Sequence, residues 1–539
     1  MHQDLDVKIT LFATMSSVTK PSEPFLAHSD TAPATETPTI EKRFNFWTAF
    51  GVAVCTSGAW EGWTASIAQG LAGGGPVCLL WGWVVVSVGI ICMSCALAEF
   101  VSMWPSAGGQ YVWAANLAPV KYSRVLSWTT AWLGVAGLWL GALSCGMGVA
   151  VQIQSYAIVS TEYEPKTWHA FMICIACMVC WAVVNIFAVQ LLHYMNAAIL
   201  VVHVVGYLLV IGVLAGSTKE KHDATFVFTK FQNSTGWDSD FVSWSVGLLS
   251  ALYAYFSLDT AAHFSEEIPR ANVLVPRAMV LQAVATALMT LPFIITVLFC
   301  IGDIGEVLAS PIGTMSPFTQ ILINSTSNVG LSCFLNCISS SVAMAAGFDL
   351  WGAASRAIWS MARDKALPAT LAKLHPRWNV PVLANLVLLL PSIVIFMIYI
   401  WNTTAFYGIM AGVLVSFQLS YVVPLGINIF YTTWWKRELT KGPFAMGRFS
   451  FPVHVVAFLF GCYMVLFISF PVNHPVTAAN MNYGSAIIGA ISILAIMLWI
   501  FYGRKYYYGP LQFTATEAEQ TESIASKAEH TRTAKLGQP

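Results

Sequence analysis

Charge is what this sequence has least of. Of 539 residues only 10% are charged, 26 acids against 26 bases, while 57% are hydrophobic. A soluble domain carries about 25% charged residues. That shortage excludes a soluble globular class and points to an all-α integral membrane protein whose first partner is the lipid bilayer, not a nucleic acid. Other absences narrow it further. Residues 1–46 are rich in Ser, Thr, Pro and acids and lack the basic start and apolar core of a cleavable signal, so the first spanning helix is expected to direct insertion. There is no Walker A loop for ATP-driven pumping and no TVGYG stretch for a channel filter. The 12 Cys lie mostly inside apolar segments (Cys55, Cys92, Cys95, Cys145, Cys174) without His/Cys metal spacing. They read as packing residues, and neither a metal nor a cofactor is expected.

What is present is a series of apolar stretches, each long enough to cross a hydrocarbon core of roughly 30 Å as a helix. Hydropathy predicts twelve spans, at 47–69, 76–101, 125–155, 168–190, 194–215, 242–263, 275–301, 328–355, 380–401, 405–432, 452–471 and 482–502, between disordered tails at 1–46 and 503–539. Lys and Arg supply an independent test of this count. With both termini cytoplasmic, only Lys166, Lys219, Lys221 and Lys230 fall outside, and every other Lys and Arg lies inside or at an inner helix end. The three N-x-S/T sequons, at Asn233, Asn324 and Asn402, all fall in segments placed outside, which makes them candidate glycosylation sites at a plasma membrane.

Many spans without a large soluble domain suit a transporter. Transporters built from inverted repeats bind substrate near the bilayer midplane, at two interrupted helices in corresponding positions of the two halves. The first span, AFGVAVCTSGAWEGWTASIAQG, has Ser57, Gly58 and Gly62 around one acid, Glu61. The sixth, LLSALYAYFSLDTAAHF, has Ser257 and Asp259 at its middle. Spans 1–5 and 6–10 then form a five-plus-five inverted repeat with helices 1 and 6 broken, and spans 11 and 12 are accessory. Glycine and serine alone equally suit plain helix packing. The acids favour a site, because a charge at mid-bilayer costs about 2.5 to 3.5 kcal/mol and usually faces a cavity or a partner.

Glu61 is thus expected to pair with a substrate ammonium, and Asp259 to load and unload a proton. Trp60 and Trp63 beside one break, and Tyr253, Tyr255 and Phe256 beside the other, can hold an organic cation or close over it. Past Asp259 the chain reads His263, Glu266, Glu267 and Arg270 at helical spacing. The last three are expected at the cytoplasmic mouth, solvated or salt-bridged. His193 and His203 stand at opposite ends of one span, too far apart to share a metal, and each reads as hydrogen-bonded to a neighbour. An enzyme would need a nucleophile and base or metal ligands in the membrane.

Four stretches resemble the fungal amino acid/choline transporter family of the amino acid, polyamine and organocation superfamily, with its choline and 4-aminobutyrate permeases. They are AEFVSMWPSAGGQYVWAANLAP (98–119), SLDTAAHFSEE (257–267) followed by VPRA (275–278), SRAIWSMARDKALP (355–368), and TFVFTKFQNSTGW (225–237). The resemblance spans about residues 45–500. It implies the five-plus-five fold, uptake of small nitrogenous solutes such as amino acids, 4-aminobutyrate or choline, and coupling to protons. Export of a specialised nitrogenous metabolite and a transporter-like nutrient receptor stand as alternatives.

Carried onto this chain, Thr56, Ser57 and Gly58 through Gly62, with Tyr255 through Asp259, would form the substrate site. Asp259 would match an acid tied to proton coupling, and Tyr253 would lie near a gating aromatic. Two departures stand out: Phe256-Ser257-Leu258 occupies a break where many relatives have Gly, and Ser57-Gly58-Ala59 is less Gly-rich than the superfamily's pattern. The loops around Gly108-Gly109 and Arg363-Asp364 read as turns, salt bridges or gating parts and not as substrate contacts.

Overall fold

The computed structural model describes residues 45–510 apart from 162, 402–404, 436–438, 440 and 479; Asn402, residues 1–44 and residues 511–539 lie outside the described residues. The described residues form helices and turns without a strand, and ten of the helices are long and apolar enough to cross a membrane. The other two expected spans, 47–69 and 242–263, are the interrupted ones.

The first begins at α1 (Phe46–Ser57), whose N-terminus is closed reciprocally: the Asn45 side-chain oxygen Oδ1 accepts from the Thr48 backbone N–H, and the Thr48 hydroxyl accepts from the Asn45 backbone N–H. It ends at Gly58, with φ 63°, a left-handed conformation that costs little without a Cβ. Next come α2 (Ala59–Ala65) and α3 (Ile67–Met103), the latter broken at Gly74 and Gly75 before Pro76 restarts it. That break is where the first and second expected spans part.

After α4 (Gln110–Leu117), the long α5 (Val120–Ser160) runs through the centre, packed along the later helices α12 and α14, whose bounds follow. Its most apolar stretch is 78% buried by protein. Then come α6 (Thr167–Phe187) and α7 (Val189–Ser217), separated at Ala188 and not at Gln190 to Tyr194, where hydropathy had put the boundary. The second interrupted segment comprises α8 (Asp240–Gly247), α9 (Leu249–Tyr253) and α10 (Thr260–His263). The rest is α11 (Ala271–Cys300), α12 (Val329–Arg363), α13 (Leu389–Trp401), α14 (Ala405–Trp435), α15 (Ser450–Ile468) and α16 (Gly484–Leu498). Large apolar side chains such as Leu208 and Phe501 are exposed on α7 and just beyond α16, as a lipid-facing surface requires.

Two expectations are revised. The chain does not leave the bundle at 503: Tyr507 is buried, and its hydroxyl pairs with that of Ser127. The cysteines, read from the sequence as lacking metal-ligand spacing, do include CxxC pairs (Cys92 with Cys95, and Cys174, Cys177 and Cys180 in succession), but all are free thiols carried on spanning helices.

Candidate functional site

Both breaks fall within the stretches that the residue pattern indicated. Gly58 and Ala59 take positive φ, 63° and 26°, and residues 254–259 leave the helical path with Ser257 at φ 61°. A serine in this conformation costs about 1–2 kcal/mol relative to the right-handed form. The absence of glycine therefore does not keep the sixth span wound; Ser257 bears the strain while its hydroxyl pairs with that of Thr260. The broken segments meet backbone to backbone. A Cβ at Gly62 would stand 3.1 Å from the Ala254 Cα, and the Ser66 hydroxyl donates to the Ser250 carbonyl at 2.9 Å.

Between them, closed by α5 and α12, lies a cavity of about 40 Å³. Thr56, Ser57, Gly58, Glu61, Tyr253 and Phe256 line it. The other three expected contacts do not. The Trp60 indole donates to the His203 carbonyl and packs on Phe293; Tyr255 stacks on Trp83 with its hydroxyl on Ser87; Ser257 is turned to Thr260. Trp63 also packs on Phe293, so no tryptophan cage surrounds this space. The expectation of Trp60 and Trp63 as a cation cage fails because helical rotation turns both toward α11. The opposite walls, with Ser144 and Gln152 on α5 and Ser339 on α12, were not anticipated; a polar Gln inside an apolar span was the available signal.

Glu61 is almost wholly buried. One carboxylate oxygen, Oε1, pairs with His203 Nδ1 at 2.8 Å, while Oε2 has no partner. His203 is thus engaged by a neighbour, as expected. A buried carboxylate oxygen without a donor is costly, and a ligand N–H or ammonium arriving there would relieve it.

Asp259 lies outside this cavity in a closed network. Its carboxylate accepts from Gln110 Nε2 and from the Tyr421 hydroxyl, and faces His263 Nε2 at 2.8 Å. The other imidazole nitrogen, Nδ1, sits 2.7 Å from the Ala107 carbonyl. A carbonyl can only accept, so Nδ1 carries hydrogen. The Nε2···Oδ2 contact then needs one more proton, held by either the imidazole or the carboxyl. Without it, a lone pair and a carboxylate oxygen would face each other at hydrogen-bond distance.

The loop after α3 builds this network. Gly109, at φ 57°, lies against the His263 ring, and a Cβ there would be 3.0 Å from its Cε1. The same end of the molecule, the basic one, is closed by ion pairs. Arg356 binds Glu267 and lies over the Phe264 ring at 4.3 Å, and Arg363 binds Glu266 at 2.9 Å. The Tyr111 hydroxyl donates to Asp364. Glu267 is buried rather than solvated, because α12 carries Arg356 directly onto it. At the opposite end, one helical turn past Ala65 and Tyr253, Ala68, Gln69 and Leu249 line a vestibule of about 290 Å³.

Asp349 is a further acid inside an expected span. Asp349 on α12 accepts from Asn196 of α7 through Oδ1, and its Oδ2 is buried without a partner. Like Glu61, Asp349 carries a group whose charge is costly at membrane depth.

The sequence profile of the amino acid permease family matches residues 44–493. The choline transporter of Saccharomyces cerevisiae is 29% identical over 495 residues, covering 90% of this chain and 85% of that one. The GABA-specific permease of the same yeast is 24% identical over 498 residues, covering 90% and 86%. Among solved structures, the manganese transporter of Eremococcus coleocola superposes with a TM-score of 0.52 at 13% identity, covering 88% of this chain and 98% of that one, a likeness of fold alone.

Proposed function

Since this chain belongs to the amino acid permease family and is a multi-pass membrane transporter rather than an enzyme, we propose that it is a proton-coupled permease for a small amine or amino acid. The observation that carries this reading is the meeting of the two broken segments at one cavity lined by Glu61, whose Oε2 is buried and unpartnered. An ammonium group supplies both the charge and the N–H that this oxygen lacks. Unwound backbone at membrane depth is tolerated where it lines a cavity or a ligand, and its free carbonyls and amides suit a zwitterion.

Coupling is assigned to the Asp259–His263 pair. Loss of its single shared proton turns attraction into repulsion across 2.8 Å. The pair then has reason to part, and residues 254–259 and the loop carrying Gln110 and Ala107 move with it. Because Glu266 and Glu267 follow three and four residues after His263, that motion pulls on the ion pairs closing the basic end. Protonation and opening of one gate are linked in this way, which alternating access requires.

The test is uptake of labelled choline, 4-aminobutyrate and several amino acids into cells expressing the chain at the plasma membrane, with and without a proton gradient. Gradient-dependent accumulation of at least one supports the reading. Transport of none in either direction removes it and favours a receptor.

A further inference from the structure

Building on the permease reading, we infer that Gln152, with Glu61, makes the site selective for an ammonium that bears N–H bonds over a quaternary one. The side-chain hydrogen-bonding capacity of the cavity is lopsided. Four of the five hydroxyls lining it spend their hydrogens inside the protein: Thr56 on the Val52 carbonyl, Ser57 on the Val54 carbonyl, Ser144 on the Gly141 carbonyl, and the Tyr253 hydroxyl on Ser144; the fifth belongs to Ser339. The Gln152 amide nitrogen donates to Ser339 at 3.3 Å. What remains without a partner is two acceptors, Glu61 Oε2 and Gln152 Oε1, both on buried side chains. Among the described residues lining the space there is no Lys or Arg.

Two unsatisfied acceptors call for a ligand with at least two donors. A primary ammonium has three N–H bonds; a trimethylammonium has none and would leave both oxygens desolvated and unpaired. The aromatic alternative is absent as well. The two rings at this cavity, Tyr253 and Phe256, stack on each other at 5.1 Å and offer a face, not a cage. Size agrees: at roughly 10–15 Å³ for each water, about 40 Å³ holds a few small groups before the vestibule side opens. Gln152 and Ser144 stand two turns apart on α5, so Gln152 reads the ligand from the end nearer the vestibule.

The experiment uses the full-length protein in proteoliposomes with two matched pairs of labelled probes, ethanolamine with choline and 4-aminobutyrate with its N,N,N-trimethyl derivative. Members of a pair differ only in methylation of the nitrogen. The N–H member of at least one pair is expected to show a KM lower by about tenfold or more, the value of one lost hydrogen bond to a charged group. Gln152→Leu is expected to raise KM for the N–H member and to leave that for the trimethyl member within about twofold, narrowing the ratio; Gln152→Asn keeps part of the discrimination. Melting curves of the purified variants separate a binding change from misfolding. Equal or better uptake of the trimethyl members by the unaltered protein overturns the selectivity and leaves the permease reading standing. A Gln152→Leu variant that melts like the unaltered protein yet changes both members equally overturns the role of Gln152. Neither pair transported, and neither raising the melting temperature, overturns the inference; the permease reading falls only if the amino acids of the uptake test are not transported either.

Discussion

The side-chain amide of Gln110 donates to the carboxylate of Asp259, 149 residues further along the chain. One partner is the first residue of α4, directly after the loop that follows α3, and the other belongs to the interrupted sixth span. The tight turn at Gly108-Gly109 exists to bring α4 against His263 and to aim Gln110 at the acid. A loop that reads in the sequence as a turn or gating part thus positions one partner of Asp259.

Asp259→Asn removes the carboxylate that shares the proton with His263. Accumulation driven by an imposed proton gradient in proteoliposomes is expected to disappear, while exchange of labelled for unlabelled substrate survives. Gradient-driven accumulation at the unaltered level would falsify the coupling role.

Glu61→Gln keeps the shape and the contact with His203 but removes the charge at the orphaned oxygen. KM for cationic amines should rise by about tenfold to a hundredfold, since a charge-assisted hydrogen bond contributes about 1.5–3 kcal/mol. Unchanged KM values in a concentration series of uptake would end the ammonium-pairing assignment.

Arg356→Ala strands Glu267 in a buried position, which costs about 3–5 kcal/mol where the partner of a buried pair is lost. The closed arrangement at the basic end should weaken. A cysteine placed among the residues that line the cavity should then react faster with an impermeant reagent from that side. Adding Glu267→Leu should recover much of the closure, because no charge is then left alone. Equal labelling rates in all three proteins would show that this pair is not part of the gate.

Ser257 supplies a backbone test. With φ at 61°, Ser257→Gly should be neutral or stabilising by up to about 1 kcal/mol, and Ser257→Val destabilising by about 1–2 kcal/mol. Melting of the purified protein checks both. A higher melting temperature for the valine variant would contradict the left-handed turn.

The sequons differ in availability. The Asn233 amide donates to the Trp237 carbonyl and Asp240, and its oxygen accepts from Thr235 and Ser243, whereas Asn324 is exposed and holds only a contact from Gln320. Glycan is expected at Asn324 in preference to Asn233. Endoglycosidase treatment of Asn324→Gln and Asn233→Gln variants, read as gel mobility, decides it; loss of the shift only in the Asn233 variant reverses the assignment.

Much of this was legible along the chain because it depends on local chemistry. Lipid demands apolar stretches of fixed length, so the long apolar helices could be read from composition, with ends that shift by several residues, as at 328–355 against Val329–Arg363. Gly58 marks its break because left-handed backbone favours glycine, and the acids at 61 and 259 stood out because charge is expensive at membrane depth. Trp60 and Trp63 misled for a related reason: proximity along the chain to a break does not say which way a helix face turns. Both face Phe293, not the cavity.

Taken alone, the sequence determined that this is an all-helical membrane protein with interruptions in its first and sixth spans, since solvation of backbone and charge is a property of each segment by itself. Only the tertiary structure decided what stands opposite each polar group. It put His203 on one oxygen of Glu61 and left the other bare, brought Gln152 of α5 to the same cavity, and buried Asp259 among Gln110, Tyr421 and His263. Those contacts join residues far apart in the chain. They follow from how helices rotate and pack against one another, which no single stretch of sequence contains.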